Sequence, residues 1–244
     1  MKTMILCAGL GTRLRPWTES HPKALVPVGG IPILRRVADR LMAQGYDEIT
    51  INIHHFGEQI LDYVGREHDL AARVSISDER ERLLDTGGGI LHAEPFLAKD
   101  KRPFLVHNVD ILSNADLAGL MRIHENSGRH VSLLVSDRDS DRKLAFDSDM
   151  NLKGWLNQKT GERRPSGLLI EGTDRLLSFS GIYVMSPEVF GIMRAYGFSG
   201  AFPIMQFLLS GIDGLRIGGV EQTGLDLIDI GKPDTLHRAN LRIQ

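Results

Sequence analysis

An α/β fold is predicted, a doubly wound, Rossmann-like and mostly parallel sheet carrying a β-rich insertion. Three features predict it. A short apolar run, Met4 to Cys7, ends in a bend at Gly9 and Gly11, as a buried parallel strand does where its carboxyl end meets a ligand. Strand-like and helix-like segments then alternate over about 110 residues, which implies βαβ units. Between 143 and 172 this gives way to short strand-like pieces broken by Gly154, Gly161, Pro165 and Gly167.

The elements follow in order. Pro32 opens an apolar-periodic stretch of Ile33, Leu34, Val37, Leu41 and Met42, closed by Gly45, which reads as a helix of about three turns. Residues 48–53 are rich in β-branched side chains and read as a strand. A helix over 57–64 and a short strand over 74–77 follow. A helix is expected over 88–97, with Pro95 awkward near its end. Residues 104–107 form another buried strand. Beyond it come a strand over 131–135, a polar cluster over 138–142 and the insertion over 143–172. Residues 178–185 return as a strand, 187–196 and 202–209 as helices, 215–217 and 227–229 as short strands, and 233–241 as a closing helix. There is no low-complexity linker and no short repeat, so one domain over 1–244 is expected.

The chain has 244 residues, 42% apolar and 25% charged, ordinary values for a globular domain. A net charge of −2 gives no electrostatic case for nucleic acid or an anionic membrane. Cys7 is the only cysteine, so no intrachain disulfide forms, which fits a cytoplasmic location. The N-terminus reads as a strand, not a signal peptide, and no apolar run approaches a membrane span.

Gly9 and Gly11 allow backbone N–H groups to approach an anion, and Arg13 and Lys23 supply charge to neutralise phosphates. The Walker spacing is absent. A dinucleotide fingerprint is also broken, because Leu14 stands where its third glycine belongs. Asp110 and Asp229 each end an apolar strand, a place where carboxylates are often simple turn residues. Asp85-Thr86-Gly87-Gly88-Gly89-Ile90 is a second glycine-rich bend, suited to close approach to a planar base. His54-His55 reads as a loop pair rather than a zinc site, Cys7 as a core residue, and 78–82 as a solvated face.

Taken whole, G-x-G-T-R-x-R-P followed by P-K-x-L-x-P at 22–27 resembles the N-terminal signature of the sugar-1-phosphate nucleotidyltransferases. The similarity continues through 85–90, Val106-His107-Asn108-Val109-Asp110, Phe179-Ser180-Gly181-Ile182-Tyr183 and Leu227-Ile228-Asp229-Ile230-Gly231. The resemblance implies the nucleotide-diphospho-sugar transferase fold, with a nucleotide-binding half (1–110) and a sugar-binding half (111–244). It implies attack of a sugar phosphate on the α-phosphorus of a nucleoside triphosphate, with Mg²⁺ as cofactor. Arg13, Lys23 and Asp110 would be catalytic. Ala8, Gly9, Gly11, Thr12, Arg13, Lys23, Thr86, Gly87, Gly88 and Asn108 would bind nucleotide. Ser180 and Gly181 would line the sugar site, and Asp110 with Asp229 would hold the metal. The implied partners are the two substrates, with no nucleic acid or membrane, in a monomer or homodimer.

Two departures stand out. Val109 replaces the glycine of the usual Asn-Gly-Asp, and no lysine lies about eleven residues before 179–181. Lys153 and Arg175 are the available substitutes for the latter. The short chain, the missing hexapeptide repeats and the D-T-G-G-G-I string make it most similar to the N-acetylmuramate-1-phosphate uridylyltransferases of cell-wall recycling. Mannose-1-phosphate guanylyltransferases come second and phosphocholine cytidylyltransferases third. A non-catalytic nucleotide-sugar-binding regulator and an NAD-dependent oxidoreductase are the readings from other classes.

Overall fold

A computed structural model describes residues 1–212 and 214–243. β1 (Lys2–Leu6) is an interior strand of the main sheet. A small hairpin follows, β2 (Pro27–Val28) with β3 (Ile31–Pro32), and then α1 (Ile33–Ala43), β4 (Glu48–Ile53), α2 (Gly57–Arg66), α3 (His68–Ala71) and β5 (Val74–Asp78). Next come α4 (Asp85–His92), α5 (Glu94–Leu97), β6 (Phe104–Asn108), β7 (Ile111–Ser113), α6 (Leu117–Ser127) and β8 (Val131–Ser136). The insertion is β9 (Arg142–Phe146), β10 (Leu152–Asn157) and β11 (Arg163–Arg164). The chain closes with β12 (Arg175–Met185), α7 (Glu188–Ala195), α8 (Ile204–Ser210), β13 (Ile217–Glu221), β14 (Leu227–Asp229) and α9 (Pro233–Ile243).

The main sheet runs β13-β8-β12-β6-β1-β4-β5. Of these strands only β12 is reversed, antiparallel to both β6 and β8, so the sheet is mostly parallel as expected. β12 is long enough to serve two layers: its start pairs with β9, which continues into β10 and β11 as an antiparallel flap. The β-rich insertion therefore extends one end of the sheet.

Period-two alternation sends β1 side chains to two cores. Ile5 and Cys7 join α1, α2, α6 and α9 residues on one face, while Met4 joins α4, α5, α7 and α8 residues on the other. Helices on both faces make the fold doubly wound. In α1 the buried set Ile33, Leu34, Val37, Ala38 and Leu41 follows helical spacing. Each large member contributes roughly 1.5–3 kcal/mol by leaving water. Gly45, at φ +84°, takes the left-handed position just past that helix.

Several elements differ from expectation. The helix expected over 88–97 is two helices, and it begins earlier. Pro95 lies in the first turn of α5, where its missing N–H costs nothing. The strand expected at 215–217 is β13, shifted into Gly218 and Gly219. Those glycines act as spacers rather than breakers: a Cβ on Gly218 would collide with the Arg129 guanidinium, and one on Gly219 would press Met150 at 2.8 Å. α6 is not among the predicted elements. Its stripe of Leu117, Leu120 and Met121 is completed by His124, which is buried and bonded to Ser132 Oγ and Ser186 Oγ at 2.9 Å each.

Candidate active site

The glycine loop leaves β1 at Cys7 and crosses the carboxyl edge of the parallel strands. Gly9 is exposed, and a Cβ there would meet nothing within 4 Å. Gly11 is the opposite case. At φ +62° it caps the 3₁₀ turn Thr12–Leu14, and a Cβ would lie 2.9 Å from both Lys23 Cβ and Thr18 Cγ2. Its carbonyl accepts Leu14 N–H at 2.8 Å and Thr18 Oγ1 at 2.9 Å. Only glycine lets the loop fold back this tightly, and the fold-back brings Lys23 alongside. Ala8 is buried beneath, while Thr12 and Arg13 are exposed.

Asp110 follows β6 directly and precedes β7. That strand pairs antiparallel with β14, with Asp229 opposite Ile111. Ile230 N–H donates to the Asp110 carbonyl at 2.9 Å, and Gly231 N–H to Asp229 Oδ1 at 2.8 Å. This two-stranded ladder sets the two aspartates side by side although the chain separates them widely. Gly231 marks the meeting point. A Cβ there would lie 2.7 Å from Arg13 Nη2, 2.8 Å from Asp229 Oδ1 and 3.1 Å from Asp110 Oδ2. The Lys23 ammonium pairs with Asp110 Oδ2. All four charged residues singled out from the sequence thus converge, two cations against two carboxylates.

Cys7 lies beneath them. Burial and the Asp110 carboxylate push its thiol up, while Lys23 pulls it the other way. It stays a thiol, as befits a core residue rather than a nucleophile. Val109 is buried in the core next to Ile111. The histidines of the loop pair each meet a backbone carbonyl: His54 Nδ1 lies 2.8 Å from Glu79 O and His55 Nε2 lies 3.3 Å from Thr18 O.

The sugar-side residues divide. Gly181 holds φ +75° at an irregularity in β12, and a Cβ there would be 2.8 Å from Asn108 Nδ2. The glycine therefore makes room for the Asn108 side chain. Ser180 is a correction: it is buried, and its hydroxyl donates to the Leu134 carbonyl inside the sheet. Lys153 and Arg175 are both occupied. Lys153 pairs with Asp174 at 2.7 Å and with Glu171 at 3.8 Å, and Arg175 pairs with Glu221. Arg138 lies just past the carboxyl end of β8. It donates from Nη2 to Phe179 O at 2.9 Å, and its Nε is buried without a partner.

The second glycine motif is also corrected. It is the first turn of α4, not a bend. Gly87 and Gly88 N–H both donate to Phe202 O, at 2.8 and 3.1 Å, and Thr86 Oγ1 accepts Ile204 N–H at 2.9 Å. A Cβ on Gly87 would enter the Phe202 ring, and one on Gly88 would strike the Gly200 carbonyl. Their close approach is to the protein itself. The solvated face expected at 78–82 is interrupted by Glu79, which is 3% exposed, and Asn52, 2% exposed, was not singled out at all. A polar residue at the carboxyl end of the otherwise β-branched run 49–53 was the available signal.

Comparison with known proteins gives the family. The family model described as nucleotidyl transferase matches residues 2–146. The N-acetylmuramate alpha-1-phosphate uridylyltransferase of Neisseria meningitidis serogroup B is 31% identical, over 95% of this chain and 93% of that enzyme. Mannose-1-phosphate guanylyltransferase 1 of Arabidopsis thaliana is 33% identical, over 59% of this chain and 40% of that one. Among solved structures, HddC from Yersinia pseudotuberculosis complexed with GMP-PN superposes with a TM-score of 0.78 at 22% identity, covering 100% of this chain and 99% of the other.

Proposed function

The chain belongs to the nucleotidyl transferase family, and from that premise we propose that it transfers a uridylyl group from UTP to N-acetylmuramate 1-phosphate. The observation that carries nucleotidyl transfer is the convergence of Arg13, Lys23, Asp110 and Asp229 around Gly231. A regulator that binds without turnover has no need of all four. The choice of substrates rests on similarity that runs the length of the uridylyltransferase, whereas the guanylyltransferase match stops at 40% of that enzyme.

In the reaction, a phosphate oxygen of the sugar 1-phosphate bonds to the α-phosphorus of UTP. The bond from that phosphorus to the β-phosphate's bridging oxygen breaks, and pyrophosphate leaves. Two polyanions must meet, so the protein's task is charge and alignment. The exposed backbone at Gly9 receives the triphosphate. Arg13 faces the leaving pyrophosphate. Lys23 releases Asp110 and moves between the α-phosphate and the incoming phosphate, a bridging position suited to a compact ammonium.

Asp110 and Asp229 fit Mg²⁺. They bring two carboxylates together at Gly231, and this ion prefers one or two carboxylates with substrate phosphates and water. Among the described residues no group of three or more His, Cys, Asp or Glu gathers as a self-sufficient cage. When bound, the ion would offset charge on the phosphates as a Lewis acid.

At the sugar end we assign Arg138 in place of Lys153 and Arg175, because it has no carboxylate partner among the described residues. No described helix is long and apolar enough to cross a membrane, and we place the enzyme in the cytoplasm, where its substrates would be made. The experiment is pyrophosphate release from the purified protein with each NTP against a panel of sugar 1-phosphates. UTP with N-acetylmuramate 1-phosphate should give the highest kcat/KM and require Mg²⁺. A preference for GTP with mannose 1-phosphate would transfer the assignment to the guanylyltransferases.

A further inference from the structure

The two glycine motifs are joined by a buried hydrogen-bonded chain. The β1–β4 ladder ends at the Leu6–Asn52 pair. The next N–H, that of Cys7, lies beyond the ladder and opens the phosphate loop. Asn52 Oδ1 accepts it at 2.7 Å. Asn52 Nδ2 donates in turn to Glu79 Oε1 at 2.7 Å. Glu79 Oε2 accepts Leu84 N–H, at 3.2 Å, immediately before α4. Glu79 is itself tied to β4, its N–H donating to Ile53 O at 2.9 Å. The last glycine of the second motif leaves room for this chain: a Cβ on Gly89 would be 2.6 Å from Glu79 Oε1 and 3.0 Å from Asn52 Nδ2.

We infer that Asn52 and Glu79 are positioning residues, which brace the first residue of the phosphate loop against β4 and the turn before α4, so that a nucleoside triphosphate meets a loop already fixed in place. This rests on the nucleotidyl transfer proposed above. The chemistry of the chain explains an otherwise costly choice. No cation pairs with the Glu79 carboxylate among the described residues, and burial pushes its carboxyl above the ordinary range while the Asn52 and Leu84 donors oppose that. Burying an unpaired carboxylate is unfavourable. But two donors, Asn52 Nδ2–H and Leu84 N–H, point at residue 79, and only a carboxylate accepts from both. A glutamine would present its NH₂ to one of them.

That polarity can be reversed, which supplies the test. In N52D the introduced carboxylate still accepts Cys7 N–H but confronts Glu79. In E79Q one donor loses its acceptor. In N52D/E79Q the amide at 79 donates to the carboxylate at 52 and accepts Leu84 N–H, so all three bonds return with the charge moved along the chain. Losing one buried hydrogen bond typically costs about 1–1.5 kcal/mol, roughly tenfold. Each single variant should therefore raise the KM for UTP about tenfold and leave the KM for the sugar phosphate within about twofold.

The double variant should recover to within about threefold of the parent. A structural role alone would lower the thermal midpoint without separating the two KM values. The inference is overturned if the double variant is as impaired as the product of the singles, which would mean that the Glu79 charge itself touches ligand, or if both KM values rise together. Should a single variant fail to fold, the double variant still decides, since failure of the double to fold also refutes the interchange. If the unmodified protein releases no pyrophosphate with any substrate pair, the functional reading falls, and the inference falls with it.

Discussion

Two glycine-rich segments look alike as strings, and the molecule uses them in opposite ways. Around Gly9 and Gly11 the missing side chains keep a loop open on one side and folded tightly on Lys23 on the other. In 87–89 the missing side chains admit Phe202, the Gly200 carbonyl and Glu79, all parts of the protein. The first segment leaves surface free at Gly9, while the second spends both its space and its N–H groups on packing. Glycine marks a close approach, and its neighbours in space decide to what.

That contrast can be broken by substitution. Gly88→Ala should be the most damaging change, because its Cβ would strike a backbone carbonyl inside a helix contact. We expect a loss of about 3 kcal/mol of stability, read as a lower urea midpoint. A variant as stable as the parent would show that α4 is not held against the 200–204 segment. Arg13→Ala acts on the first segment and should spare the fold. Removing one charge-assisted donor that strengthens in the transition state costs on the order of a hundredfold, so kcat should fall more than KM rises. Unchanged kcat with weaker UTP binding would make Arg13 a uniform binder instead.

Acid should loosen the sheet beneath the first segment. His107 is buried in β6, and burial lowers its pKa to about 4. The unfolded imidazole takes its proton near pH 6.5, so stability is lost as pH falls from there toward 4, by about 2 kcal/mol at pH 5. Glu79, whose carboxyl is raised by burial, contributes a slope of the opposite sign in parent and variant alike. Urea unfolding at pH 7.5 and 5 should therefore show a smaller loss for His107→Gln than for the parent, and equal losses would remove His107 as the cause. The mildest change is Gly9→Ala, whose Cβ would enter open space. Stability should move by less than about 0.5 kcal/mol, while the KM for UTP should rise about tenfold as the methyl group meets phosphate. No change in KM would take the triphosphate off this loop.

How much was legible follows the same division. The parallel half could be read because its strands are short apolar runs with glycine or proline at their ends, and β4 falls where expected. The charged cluster could be read from the family resemblance, since Arg13, Lys23, Asp110 and Asp229 each stand at a strand end or in the loop between. What could not be read depends on contacts between distant segments. Ser180 alternates into the sheet because of where β12 bulges at Gly181. Lys153 and Arg175 are taken by Asp174 and Glu221, partners that no local pattern announces. Glu79 lies in a run of charged residues, and only the chain through Asn52 reveals that it is buried.

We propose that Lys23, which pairs with Asp110, is the cation that bridges the two substrates. Pyrophosphate release from UTP and N-acetylmuramate 1-phosphate, measured for the parent, Lys23→Ala and Lys153→Ala, tests it most directly. We expect Lys23→Ala to lose at least about a hundredfold in kcat and Lys153→Ala, whose partner is Asp174, to stay within about threefold. Full activity in Lys23→Ala would contradict the claim and leave the lysine a structural partner of Asp110.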